Sequence, residues 1–225
     1  MASALLFDLD GTLLDTAEDM AKAANKVLAQ HGFEALSQEQ IYANTSFGAR
    51  GLLSAGFGKH YAEHDAQQLR KQFLLHYAEN INSHTRYYPE IENVLNTLCA
   101  TATPWGIMTN KPGFLTELLL PFFPLLEQAN IIVCGDTLPL AKPHPEPLLY
   151  CAERIDKPPH EITYVGDVEG DMTAASAAGM SGAIASWGYI GADVKPTSWP
   201  HHHLLQTPAD ILSLLPHTGE YAVNS

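Results

Sequence analysis

The chain carries 225 residues with a formal net charge of -13, from 25 acidic against 12 basic side chains. That balance excludes sequence-independent binding to DNA or RNA, which rests on lysine and arginine neutralising phosphates, and no apolar run approaches the ~18 residues of a membrane-spanning helix. The start, Met1-Ala2-Ser3-Ala4, lacks the basic segment of a secretory signal, and the odd set Cys99, Cys134 and Cys151, without metal-ligand spacing, is expected to stay reduced in the cytoplasm.

An apolar run, Ala4-Leu5-Leu6-Phe7, ends abruptly in Asp8-Leu9-Asp10-Gly11-Thr12. A short continuous apolar run bounded by a turn reads as a strand buried on both faces, as in a parallel sheet. Alternation along the strand puts Asp8 and Asp10 on one side, and two carboxylates ~4 Å apart at an effective dielectric of ~20 repel by about 4 kcal/mol. Either a cation sits there or one acid keeps its proton. From Ala17 to His31, Met20, Ala23, Ala24, Val27 and Leu28 recur at helical spacing before Gly32. Ser37-Gln38-Glu39-Gln40 has the form of a capping box and begins a second helix. Asn44 to Gly51 reads as a small-residue loop carrying Arg50, and the stretch to about His84 as helix again, with Leu69, Phe73, Leu74 and Tyr77 on one face. Residues 16–86 are therefore expected to form an all-helical cap inserted after the first strand, leaving 1–15 and 87–225 for the core.

Beyond Pro89 helix and strand alternate. Ile91 to Leu98 is helical, Trp105 to Met108 a strand closing on Thr109-Asn110-Lys111-Pro112, and Phe114 to Leu126 an apolar helix interrupted by Pro121 and Pro124. Ile131 to Cys134 is a strand, and a proline-rich loop through Lys142-Pro143-His144 leads into a helix ending near Arg154. Ile162 to Val165 is a strand running into Gly166-Asp167-Val168-Glu169-Gly170-Asp171, followed by a helix to Ala178 and a strand near Ala183 to Ala185. This order predicts βαβ units and a doubly wound, Rossmann-like parallel sheet of the α/β class. If the strands are parallel neighbours, Asp8, Asp10, Thr109, Asn110, Lys142, Asp167 and Asp171 meet beyond one sheet edge, where α/β folds bind ligands. Carboxylates gathered so call for a hard dication, magnesium first, and Lys142 with Thr109 supplies what a phosphate needs.

The four stretches Asp8-Leu9-Asp10-Gly11-Thr12, Thr109-Asn110, Lys142-Pro143 and Gly166-Asp167-Val168-Glu169-Gly170-Asp171 resemble, in order, the four motifs of the haloacid dehalogenase superfamily of phosphatases. Within it the likeness is to phosphoglycolate phosphatases and to the similar N-acetylmuramic acid 6-phosphate phosphatases, to which Trp105 to Pro112 and Gly188-Tyr189-Ile190 contribute. The resemblance implies a Mg2+-dependent phosphomonoesterase with Asp8 as nucleophile and Asp10 as acid and base. It implies Mg2+ on Asp8, the Asp10 main-chain carbonyl and Asp167, with Asp171 behind them. Thr109, the Asn110 N–H and Lys142 are then expected to hold phosphoryl oxygens, with Asp10 carrying the raised pKa while Asp8 and Asp167 stay ionised on the metal. The chain departs from the common pattern at Val168 and Glu169, and Glu169 is read as an exposed residue at a helix start.

Arg50 is the cap residue expected to meet a substrate carboxylate. Lys111 is read as a surface lysine, His144 as part of a stiff loop, His201-His202-His203 as a surface loop, and Trp105, Trp187 and Trp199 as packing residues. The partner expected is a small phosphorylated metabolite, handled by a monomer or homodimer. Rival readings are a carbon–halogen hydrolase using the same aspartate and a non-catalytic binding module on the same fold. Asp10 and the second acidic cluster count against the first, because halide displacement needs neither a cation nor a proton donor.

Overall fold

Ala4–Phe7 (β1) is buried along its whole length, which only a central strand of a covered sheet allows. The computed structural model, which describes residues 2–216, places it so. A two-residue strand Leu14–Asp15 (β2) follows, then the cap helices Ala17–Gln30 (α1), Gln38–Asn44 (α2), Gly48–Phe57 (α3) and Ala66–Glu79 (α4), and a second short strand Arg86–Tyr87 (β3). The rest alternates: Ile91–Ala100 (α5), Trp105–Met108 (β4), Gly113–Leu119 (α6), Ile131–Val133 (β5), Glu146–Ile155 (α7), Ile162–Gly166 (β6), Glu169–Ala177 (α8), Ser181–Ala185 (β7) and His203–Leu205 (β8).

Six strands form one parallel sheet in the order β5-β4-β1-β6-β7-β8, with β1 between β4 and β6. Alternation along β1 sends Leu5 and Phe7 into one apolar layer and Ala4 and Leu6 into the other. Because β4 and β6 leave β1 in opposite directions, the crevice beyond their carboxyl ends is the switch point where such sheets bind ligands.

In the cap, α1 packs its Ala24, Val27 and Leu28 against Leu52, Leu53 and Phe57 of α3 and Leu69, Phe73 and Tyr77 of α4. Ser37 caps α2 as its sequence indicates: its Oγ accepts from Gln40 N–H, and Gln40 Oε1 accepts from Ser37 N–H. The expected loop from Asn44 to Gly51 is instead a single 3₁₀ turn, Thr45–Phe47, running into α3, so Arg50 stands in a helical first turn. The two connections into the cap pair with each other, Leu14 with Tyr87 and Asp15 with Arg86, a two-stranded ribbon too short to leave a period in the sequence. The apolar stretch after Lys111 breaks at its prolines into α6 and two 3₁₀ turns, Leu120–Phe122 and Pro124–Gln128. The histidine triplet is not merely a surface loop: His203 opens β8, and His202 Nδ1 accepts from the Gly182 N–H. No helix among the described residues is long and apolar enough to cross a membrane.

Candidate active site

Asp8 lies one residue past β1, Thr109 one past β4 and Asp167 one past β6, so three adjacent strands deliver their polar ends to one place. Gly11, with φ of +85°, lets the chain turn away; a Cβ there would stand 2.3 Å from Asp167 Oδ2. Gly188 closes from the other side, where a Cβ would lie 2.3 Å from the Asp167 Cβ. The carboxylate of Asp167 is thus cradled by backbone and accepts from Thr12 Oγ1 at 3.3 Å, Ser46 Oγ at 2.8 Å and the Tyr189 N–H at 3.0 Å.

Lys142 reaches in from the loop before α7. Its Nζ stands 2.9 Å from Asp8 Oδ1 and 2.8 Å from Asp171 Oδ1, and donates to Met108 O at 3.1 Å and Tyr164 OH at 2.6 Å. Asp171 completes the cluster from α8 while its Oδ2 accepts from the N–H groups of Asp167 and Val168. Asn110 fixes the Lys142 loop reciprocally, its Nδ2 donating to Lys142 O and its Oδ1 accepting from Lys142 N–H. The main-chain N–H groups of Leu9, Asp10 and Asn110 find no hydrogen-bond acceptor among the described residues. Thr109 Oγ1 accepts from the Lys111 N–H.

Ligand oxygens of Asp8, Asp167 and Asp171 all lie within 4.8 Å of one another and are buried. Burial, offset in part by Lys142, leaves Asp8 pushed up to about 6; burial together with the charges of Asp171 and Asp8 pushes Asp167 up to about 8. Against three carboxylates stands the Lys142 ammonium, which Asp171 and Asp8 keep charged although burial opposes it. With all three carboxylates ionised two negative charges would be left uncompensated, which is why burial and mutual repulsion favour protons on Asp8 and Asp167, and Asp8 Oδ1 lacks a hydrogen bond of good geometry. An oxygen-lined pocket of three carboxylates, from which a bound cation would displace those protons, fits a hard dication.

Without a cation the acids pushed up are therefore Asp8 and Asp167; the expectation that they stay ionised concerns their metal-bound form. Asp10 lines the same cavity, both its oxygens 2.9 Å from Lys111 Nζ. Lys111 is the main correction to the sequence reading. It is buried, not a surface lysine, and its amine also donates to Tyr77 OH at 3.1 Å.

All of the expected phosphate-handling residues, Asp8, Asp10, Thr109, Asn110, Lys142 and Asp167, line one cavity of about 1040 Å³ between core and cap. Arg50 lines the cap side with its side chain exposed, and Arg70, which sequence reasoning passed over, lines it too. Glu169 is exposed at the start of α8 as expected. Also unforeseen were Ser46, Tyr77, Tyr164 and Tyr189. Tyr189 was legible only as part of Gly188-Tyr189-Ile190; its hydroxyl accepts from the N–H groups of Thr16 and Ala17 and donates to Asp15 Oδ1 at the entry to the cap.

Residues 5–185 match the family model described as haloacid dehalogenase-like hydrolase. The chain is 41% identical over 207 residues, 91% of its length and 89% of the relative's, to a phosphoglycolate phosphatase of Xylella fastidiosa. It is 31% identical over 212 residues, 94% of either chain, to an N-acetylmuramic acid 6-phosphate phosphatase of Pseudomonas aeruginosa. The crystal structure of a predicted phosphoglycolate phosphatase from Haemophilus somnus superposes with a TM-score of 0.83 at 28% identity, covering 95% of this chain and 97% of that one. The motifs, the strand-end carboxylates and this agreement along nearly the whole length lead to one conclusion: the chain belongs to the haloacid dehalogenase-like hydrolases and is a hydrolytic enzyme of that family.

Proposed function

We propose that the protein is a divalent-cation-dependent phosphomonoesterase of the cytoplasm, acting on a small phosphorylated acid, with phosphoglycolate as the first reading. The observation that carries it is the convergence of Asp8, Asp167 and Asp171 around Lys142 in a cavity lined also by the cap. Asp8 and Asp167 with the Asp10 main-chain carbonyl would hold Mg2+, which when bound supplies positive charge to the transferring phosphoryl oxygens. Residues 16–86 act as the cap and the remainder as the catalytic core.

Asp8 Oδ attacks phosphorus in line; the bond from phosphorus to the ester oxygen breaks, and its electron pair leaves on that oxygen, which takes a proton from Asp10. Water then attacks the phosphoryl group on Asp8 and yields its proton to Asp10, and the Asp8 carboxylate is regenerated as inorganic phosphate departs. Lys142, Thr109 and the N–H groups of Leu9, Asp10 and Asn110, which meet no acceptor among the described residues, would hold the non-bridging oxygens. Asp171 holds Lys142 and the turn after β6 in register.

A second reading, N-acetylmuramic acid 6-phosphate, is favoured by the cavity: about 1040 Å³ is at the upper end for small-molecule sites and far more than a two-carbon acid fills. Phosphate release over a panel of phosphoglycolate, N-acetylmuramic acid 6-phosphate, sugar phosphates and nucleotides tests both. Loss of all release in Asp8→Asn and in EDTA is expected; turnover of haloacids that persists in EDTA would replace the proposal with a carbon–halogen hydrolase, and no turnover of any kind with a binding module.

A further inference from the structure

Lys111 has no part in the chemistry just described, yet it is among the most deeply buried cations of the protein, its side chain 2% exposed. A buried ammonium is costly unless every donor has a partner. Here two donors meet both oxygens of Asp10 at 2.9 Å and a third meets Tyr77 OH at 3.1 Å, with the Tyr77 ring 4.6 Å from Nζ. Burial opposes the charge, but Asp10 and Tyr77 hold it above the ordinary lysine range.

The three residues come from three places. Asp10 lies in the turn after β1 and Lys111 in the turn after β4, whereas Tyr77 sits near the end of α4, in the cap. All three line the cavity. A carboxylate on a two-bond tether can swing; one gripped through both oxygens by a buried ammonium cannot. The grip is itself anchored on a cap residue, so it is complete only while α4 is seated on the core.

We propose that Lys111 is a positioning residue that orients the Asp10 carboxylate toward the leaving oxygen, and that Tyr77 makes this orientation depend on cap closure. The proposal rests on the phosphatase reading and deepens it: proton delivery is enabled by the cap, beyond any contact the cap makes with substrate. Lys111 acts through Asp10 and does not touch the reacting atoms.

The test uses leaving groups. An alkyl phosphate needs its departing oxygen protonated, whereas p-nitrophenyl phosphate leaves as a stabilised phenolate. In Lys111→Met, kcat on alkyl phosphates is expected to fall about ten-fold or more beyond the fall on p-nitrophenyl phosphate, with KM nearly unchanged and partial recovery in Lys111→Arg. Tyr77→Phe should show the same selectivity at about two- to five-fold. Equal losses on both substrates, or a change confined to KM, would overturn the role of Lys111; an unselective Tyr77→Phe would overturn the dependence on the cap. A thermal-unfolding cycle over Asp10→Asn, Lys111→Met and the double variant reads the pairing without turnover. The double variant should be more stable than additivity predicts, and strict additivity would reject the pair. If wild-type protein releases no phosphate while the cycle is non-additive, the phosphatase reading fails and the grip on Asp10 stands.

Discussion

Ser46 Oγ donates to Asp167 Oδ2 across 2.8 Å, so a residue of the cap touches the carboxylate at the end of β6. Other side-chain bonds also join cap and core, among them Tyr42 OH donating to Gly188 O at 2.6 Å and Lys111 donating to Tyr77 OH. A hydrogen bond to a charged acceptor contributes ~1.5–3 kcal/mol. Removing it in Ser46→Ala should open the cap more than unfold it, because the buried apolar residues that α1, α3 and α4 pack together do not include Ser46. The expected result is a KM raised about ten-fold with little change in melting temperature; an unaltered KM would show that closure does not depend on this contact.

The raised acids predict a pH signature for the metal-free protein. Unfolded aspartates titrate near 3.9, whereas in the fold Asp8 is pushed up to about 6 and Asp167 to about 8. Between those values the native state holds more protons than the unfolded chain, so stability falls as pH rises from about 4 toward about 8 and then levels. A divalent cation competes with those protons and removes the repulsion. Melting curves should therefore show Mg2+ raising the transition more at pH 8.5 than at pH 5. A shift equal at the two pH values would mean that the cation binds elsewhere.

Asp19 gives the opposite slope. It is buried in α1, where burial works against its charge, yet it accepts from the N–H groups of His84 and Thr85 and from Thr85 Oγ1, and these bonds hold it below the usual carboxylate range. Its contribution is therefore present above the unfolded value near 3.9 and lost as pH falls through the lower folded one. Asp19→Asn should cost about 1–3 kcal/mol in urea unfolding at pH 7, and the gap from wild type should narrow below pH 4. The loop it holds leads into β3, so the same variant should also loosen the return from the cap.

The strand ends were legible because an apolar run that stops on Asp8, Thr109 or Asp167 carries its own boundary, and parallel pairing then forces the three together. What escaped the sequence depends on partners far away along it. Lys111 beside Pro112 looks like any turn lysine; its burial is decided by Tyr77, 34 positions earlier, and Asp10, 101 positions earlier. The ribbon of β2 and β3 joins residues 71 apart through two-residue strands, and no periodicity is visible in so short a run. Arg50 was singled out but the helix that carries it was not, since small residues favour loops locally while Thr45 Oγ1, donating to Ile41 O, continues the helical path.

Arg50 and Arg70 bring two guanidinium groups from α3 and α4 to the cap side of the cavity, opposite Lys142 on the core side. Under the proposed function that separation would divide the work: the core would hold the phosphoryl group common to every ester, and the cap would meet what differs between them. Guanidinium pairs a carboxylate through two parallel bonds, a geometry an ammonium cannot supply. Arg50→Ala and Arg70→Ala are each expected to raise KM about ten-fold for phosphoglycolate or N-acetylmuramic acid 6-phosphate, with a smaller rise for phosphates lacking a carboxylate. Arg50→Lys should recover less than half of the loss on a free-energy scale, because charge returns without the fork. Steady-state kinetics on matched substrates with and without the carboxylate measure the difference. Equal losses across the two groups would remove carboxylate recognition from both arginines and leave the acidic end of the substrate to some other part of the cap.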